Sequence, residues 1–219
     1  MNTGLTVGYE DFLPEVVQYV PDVPEFIAIN AIRNACIEFC EKSRYLQTDL
    51  APVNLVANQS TYTVIVPPDT KFVDIVEAYA NDVLLIPKSS EELSRIYRYT
   101  DWRSVEGQPM YITREVYTAV QLVPFLTSVT AGQQLSMRIS YATTRDSAEI
   151  SEDIYEQFLE YISFGARYRL YSTPKQAYYD RGLAMEYLRL FRAGINEARV
   201  RVNKGLSRTS GRIEYQRFV

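Results

Sequence analysis

Residues 173–205 read TPKQAYYDRGLAMEYLRLFRAGINEARVRVNKG. Within this stretch Ala184, Leu188, Phe191, Ile195, Ala198 and Val202 recur at spacings of 4, 3, 4, 3 and 4. That is the repeat of a helix laying one apolar seam against other helices. Thr173 is placed to cap it, Pro174 to take its first position and Gln176 to complete a capping box, while Gly205 ends it. Just upstream, 151–171 carries Ile154, Phe158, Leu159, Ile162, Ala166 and Leu170 on helical spacing. Glu152 and Asp153 complement the dipole at its start. The Ser172-Thr173-Pro174 break is short, so the two segments predict an antiparallel helical hairpin.

Working outward toward the N-terminus, a third helix is expected over 24–43. Asp22 can cap it, Pro24 needs no N–H in the first turn, and Glu25 stands three residues after the cap. Phe26, Ile29, Ile32, Cys36 and Phe39 make its buried stripe. A shorter helix or turn around Tyr9–Leu13 precedes it and ends at Pro14.

Between the helices the period changes to two. Tyr62, Val64 and Val66 alternate with Thr61, Thr63 and Ile65. Phe72–Tyr79 and Val83–Ile86 flank Ala80-Asn81-Asp82 as a hairpin. Ser89 with Glu92 forms a capping box for a short helix through Tyr97. Tyr111–Thr113 and Tyr117–Val123 form a strand pair, stopped by Pro124. In the last strand Leu135, Met137, Ile139 and Tyr141 face one way, and Gln134, Ser136, Arg138 and Ser140 the other. Such alternation gives a sheet with one packed and one wet face.

The fold class read from these periods is α+β: an antiparallel helical bundle interrupted by an inserted small antiparallel β domain, with an extended C-terminal tail. The boundaries are 1–45 for the N-terminal segment and first bundle helix, 46–148 for the β insertion, 149–204 for the helical hairpin and 205–219 for the tail.

Composition narrows the chemistry. The 219 residues contain no histidine, which removes the commonest acid–base group and the ordinary serine and cysteine triads. No phosphate-cradling G-x-x-x-x-G-K-[ST] or G-x-G-x-x-G occurs. Asp69, Asp74 and Glu77 could suggest a carboxylate nuclease, but Tyr79 stands where such a site wants lysine, so they read as solvated strand residues. No catalytic residue, metal site or cofactor is expected. Cys36 and Cys40, the only two cysteines, fall on neighbouring turns of one helix and read as small apolar core residues. No window approaches the roughly 18 apolar residues of a membrane helix. The N-terminus lacks the pattern of a signal peptide, which places the protein in a cytoplasm or in a particle assembled there.

Charge is unevenly spread. Residues 189–219 hold eight Lys and Arg against Glu197 and Glu214, a local charge of +6, and the other 188 residues carry −10. A basic tail on an acidic body calls for an anionic partner, a protein surface or a nucleic acid. Tyrosine is abundant, 18 residues, and Tyr155, Tyr161, Tyr168, Tyr171, Tyr178, Tyr179 and Tyr187 lie in the C-terminal hairpin region. A helical pair cannot bury them all. Tyr155, Tyr161, Tyr168, Tyr178, Tyr179 and Tyr187 are therefore expected at subunit interfaces, where a ring plus a hydroxyl serves well. Arg167 and Arg169 read as a solvated helix face, with stacking on nucleic-acid bases as the sharper alternative.

Taken in order, LPEVVQYVPDVPEFIAINAIRNACIEFCEKSRYLQ, VEAYANDVLLIPKSSEEL, DWRSVEGQPMYI, QLVPFLTSVTAGQQLSMRISYATT and STPKQAYYDRGLAMEYLRLFRAGINEARVR resemble the head-to-tail adaptors of tailed, especially short-tailed, bacteriophages, the tail tubular protein A-like connectors. The resemblance spans nearly the whole chain and rests on the order of weak signals. It implies a homo-oligomeric ring, usually of twelve copies, fixed beneath the portal at the neck of the virion. The ring would continue the DNA channel toward a downstream tail or nozzle protein, with DNA only as cargo and no membrane contact. It also implies that the tail reaches the portal, which assigns portal binding to Lys204, Arg208, Arg212, Ile213, Tyr215, Arg217 and Phe218. A neck or tail-terminator ring of a long-tailed phage shares this logic with other neighbours. A DNA-binding assembly protein would explain the basic tail but not the acidic body.

Overall fold

The computed structural model describes residues 5–204. In chain order the elements are β1 (Thr6–Gly8), a 3-10 turn (Tyr9–Phe12), α1 (Leu13–Val17), α2 (Glu25–Ser43), β2 (Gln47–Asp49), β3 (Val53–Asn54), β4 (Thr61–Thr63), β5 (Thr70–Ala80), β6 (Val83–Leu84), β7 (Ile86–Pro87), α3 (Ser90–Ile96), a second 3-10 turn (Trp102–Ser104), β8 (Tyr111–Val116), β9 (Ala119–Val123), β10 (Gln134–Thr143), β11 (Glu149–Ser151), α4 (Glu152–Tyr171) and α5 (Arg181–Lys204). The class is α+β, with the long helices at the two ends of the sequence and most strands between them.

The helical core gathers residues from both ends. Phe12, Val16, Ile32, Ala35, Phe39, Phe158, Ile162, Ala166, Phe191, Ile195 and Ala198 share one cluster. Within it α4 packs on α2 and α5, and α1 on α2 and α4. Helices α4 and α5 run antiparallel, since Tyr161 bonds Glu197 near one end and Tyr171 stacks on Tyr187 near the other. Of the apolar seam on α5, Ala184, Phe191, Ile195 and Ala198 are buried and Leu188 and Val202 half-buried.

A second core lies under two sheets. One is ordered β2-β10-β5-β6, with β3 on the far part of β10, and the other β4-β9-β8-β7. All pairs are antiparallel except β7 with β8, where a short parallel pairing departs from the all-antiparallel expectation. The hairpin between β5 and β6 forms as read: Asn81 and Asp82 both take positive φ, 49° and 63°, the conformation that a tight two-residue turn demands. The capping box at α3 is present too, with Ser89 Oγ accepting from the Glu92 N–H and Glu92 accepting from the Ser89 N–H.

Strand β10 joins the two cores. Leu135, Met137 and Ile139 belong to the sheet core, whereas Ala142 belongs to the helical one, and Tyr9 Oη bonds Thr143 Oγ1 at 3.1 Å. The pairing of β10 with β5 shifts register between Arg138 and Ile139 and again between Ser140 and Tyr141. The extra residues, Val76 and Val73, are on β5, and β10 itself stays regular. Past Ile139 both faces of β10 are covered: Ser140 and Ala142 are buried, and Tyr141 is half-buried against the helical core.

Four local readings are corrected. Helix α2 is not capped by Asp22, which sits in a turn at φ 62°; Pro24 holds the N-cap position in extended conformation and its carbonyl accepts from Ile27 and Ala28. The residue before a proline is driven out of helical geometry, so the helix cannot begin earlier. Phe26 is 73% exposed; the buried ridge is carried by Ala28, Ala31, Ile32, Ala35, Cys36, Phe39 and Cys40. Alanines at the contact allow close helix approach, and a stripe built from large residues alone missed them. Pro14 opens α1 rather than ending a helix, since its missing N–H costs nothing in a first turn. Helix α5 begins at Arg181, where Asp180 Oδ1 accepts from the Leu183 N–H at 3.0 Å. Thr173 is not its cap: the hydroxyl donates to the Arg169 carbonyl, closing α4, and Lys175 turns the chain at φ 66°.

Candidate assembly surface

The hairpin arginines are placed differently from either sequence reading. Arg167 is 4% exposed, neither solvated nor free to stack on a base. Its guanidinium lies 3.7 Å from the centre of the Tyr19 ring, and the Phe164 and Tyr187 rings each stand 5.4 Å away. Its Nε donates to the Glu15 carbonyl at 3.1 Å, which ties α4 to α1. A buried guanidinium is tolerable because its donors are engaged and its faces meet aromatic rings. Arg169 donates to the Asn34 carbonyl and pairs with Glu38 on α2. Partial burial opposes the charge on Glu38, but bonds from Lys42 and Arg169 outweigh it and hold the carboxyl below its ordinary range. Arg167 sat one turn after Ser163 and one before Leu170 and Tyr171, all buried, so a wider reading of the apolar face could have found it.

Five of the six candidate interface tyrosines are engaged in the chain's own core. Tyr155 meets Phe12 edge-on at 5.0 Å, and Tyr161 Oη donates to Glu197 at 2.7 Å. Tyr187 stacks between Tyr171 and Phe164, with centroids 5.7 and 5.8 Å away. Tyr168 and Tyr178 are half-buried against the same core. Tyr179, 46% exposed, is the one whose ring stands largely open, and with Tyr178 it precedes α5 rather than lying on it. Of the candidate portal-binding residues, Lys204 is the last of α5, and Arg208, Arg212, Ile213, Tyr215, Arg217 and Phe218 lie outside the described residues.

The carboxylates Asp69, Asp74 and Glu77 are not brought together for chemistry. Asp74 pairs with Arg44 at 2.7 Å, Asp69 sits in a turn, and Glu77 lies opposite Arg138, which itself bonds Asp49. A cavity of about 720 Å³ between β5 and β8 is lined by Arg44, Asp74, Lys88, Glu92, Thr113 and Arg114. Its charges are internally satisfied: Arg44 with Asp74, Lys88 with Glu92, and Arg114 against the Val73 carbonyl. Cys36 and Cys40 are buried and unbonded, and burial pushes the Cys40 thiol up to about 12. Native protein should therefore give no reaction with a thiol reagent at neutral pH and two thiols once unfolded. Rapid labelling of the native chain would contradict this packing.

What remains on the surface is made for contact. The long face of α5 presents Arg181, Met185, Arg189, Arg192, Asn196 and Arg199, all exposed. Among the described residues no helix is long and apolar enough to cross a membrane, and no group of three or more Cys, Asp or Glu side chains could hold a metal. No curated protein matches the sequence. The family model of the SU10 adaptor proteins matches residues 8–214, and the chain belongs to that family of phage adaptors, structural components of the virion.

Proposed function

We propose that this chain is a head-to-tail adaptor subunit of the tail tubular protein A-like kind, twelve copies of which form a ring that joins portal to tail and continues the DNA channel. The family match over residues 8–214 carries the reading. In this arrangement the helices from both ends of the sequence form the bundle that makes the ring wall, and 46–148 is a β insertion facing the next tail or nozzle protein. The shared helical core, drawn from Tyr9 to Ala198, supports that division. DNA passes through as cargo. The interface role of the tyrosines falls mainly to Tyr179 and to the outer edges of Tyr155, Tyr161, Tyr168, Tyr178 and Tyr187.

The tail supplies the portal contact. Lys204, Arg208, Arg212 and Arg217 make charge-assisted bonds to carboxylates of the portal, and Ile213, Tyr215 and Phe218 fill apolar pockets. Deleting residues 206–219 should leave a folded chain that no longer joins the portal, read by co-sedimentation of the two purified proteins. Tyr215→Ala with Phe218→Ala should weaken joining although every arginine is kept. Binding to DNA alone would make those aromatics dispensable. Full joining by the deleted chain would refute the tail's role.

A further inference from the structure

Two surfaces that pack on α4 carry opposite charge. One is α5, whose outward stripe places Arg181, Arg189, Arg192 and Arg199 along the helix. Arg181, Arg189 and Arg192 make no ion pair or hydrogen bond among the described residues, and Arg199 reaches only the Lys42 carbonyl. Of the two acids of α5, Glu197 is occupied by Tyr161 and Arg201, and Glu186 is exposed beside the stripe, one turn before Arg189, so the four arginines outnumber it. Exposed Met185 and Val200 stand near the arginines on the helix.

The other is the segment from the 3-10 turn through α1 to the start of α2, which docks on α4 through Phe12, Glu15 and Tyr19. It holds Glu10, Asp11, Glu15, Asp22 and Glu25, and the first basic residue of the sequence is Arg33. All but Glu15 are exposed, and none of those four makes an ion pair among the described residues. Val17, Tyr19 and Phe26 are exposed among them. Each surface thus offers unsatisfied charge of one sign with apolar anchors beside it, and the signs are complementary.

We propose that the arginine face of α5 is a lateral interface, occupied by the acidic N-terminal flank of a second copy of this chain. Because the two patches differ, the contact is heterologous and repeats from copy to copy; it rests on the ring reading and names the surfaces that close it. Charge complementarity fixes partner and register, and the exposed apolar residues supply the desolvated part of the contact. A duplex is the weaker occupant. Helix α4 runs beside α5 and exposes Asp153, Glu156 and Glu160, which would repel phosphates along the same surface.

The test is self-association of the full chain by sedimentation at high protein concentration, in low and high salt. Wild type should associate weakly in low salt and lose that association in high salt, because exposed charges are screened. Arg189→Glu with Arg192→Glu should weaken it about tenfold or more, and so should Glu10→Arg with Glu25→Arg. Both variants should melt with the wild type, since all four side chains are exposed. An equimolar mixture of the two variants should associate again, because each restores the other's missing complement. Absence of association by wild type, indifference to either variant, or failure of the mixture overturns the assignment. Duplex DNA binding that Arg189→Glu with Arg192→Glu abolishes, while self-association persists, would make the stripe a nucleic-acid face instead. Portal joining is scored separately. If it depends on the tail while lateral pairing fails, only the faces are wrong; if pairing holds while joining fails, the adaptor reading falls.

Discussion

Phe191→Ala is expected to lower the unfolding free energy by about 3–5 kcal/mol, the range for losing a fully buried aromatic ring. Phe191 is completely buried where α2, α4 and α5 meet. Its ring faces Phe39, with centroids 6.4 Å apart, and lies over Gly165. The space cannot close easily after truncation, because the neighbours are helix backbone at Gly165 and the methyl of Ala35, which have no longer side chain to swing inward. Leu188, half-buried on the same seam, should lose only about 1 kcal/mol on truncation. Denaturant midpoints of the two variants separate the cases. A Phe191→Ala variant within error of wild type would mean that the seam faces a partner and not the chain's own core.

Gly194→Ala should destabilise although alanine is the better helix former. A Cβ there would stand 2.3 Å from Tyr161 Cγ and 2.6 Å from Tyr161 Cβ. Those atoms sit at the root of the side chain, so rotating the ring does not relieve the clash. Helices α4 and α5 would have to part and loosen the Tyr161–Glu197 bond. Overpacking of this kind costs about 1–3 kcal/mol, after the gain of about 1 kcal/mol from helix propensity has offset part of it. In a Tyr161→Gly background both obstructing atoms are gone, and Gly194→Ala should become neutral or stabilising relative to that background. Additive losses in the double variant would show that the glycine is not there to admit Tyr161.

The helix positions were legible because spacing and termini are local properties. Expected bounds of 24–43 and 151–171 are met at 25–43 and 152–171, and the Ser89–Glu92 box and the Asn81-Asp82 turn appear where they were read. Failures gather where the deciding contact is distant in sequence. Arg167 owes its burial to Tyr19 and Glu15, about 150 residues away, so its place on the apolar face hinted at the interior while the partners that make it tolerable there stayed illegible. The tyrosine excess was visible, but not that Tyr161 would be held by Glu197 and Tyr187 by Tyr171. The start of α5 was misplaced because two capping signals competed, Thr173 and Asp180, and the hydroxyl of Thr173 was already committed to the end of α4. The arginine stripe was half seen: the net charge of 189–219 was counted as a tail property, although Arg189, Arg192 and Arg199 belong to the exposed side of a helix.

The division of the helical core between the two ends of the chain sets an order of events during synthesis. The strands from Gln47 to Thr143 can find their partners once that stretch has left the ribosome, because every pairing among them is internal to it. Helix α2 cannot, since its buried ridge waits for α4 and α5, the last long elements to be made. The pairing of Thr6 with Ser151 closes the longest loop of any strand pairing, a step whose entropic cost falls late. Until then Ile32, Cys36 and Phe39 stay uncovered on a nascent helix, the condition under which chains aggregate or recruit chaperones. The arginine-bearing helix is thus the last long element to emerge, and its docking both covers α2 and sets its own arginines outward, so an unfinished chain has neither a closed helical core nor that charged face.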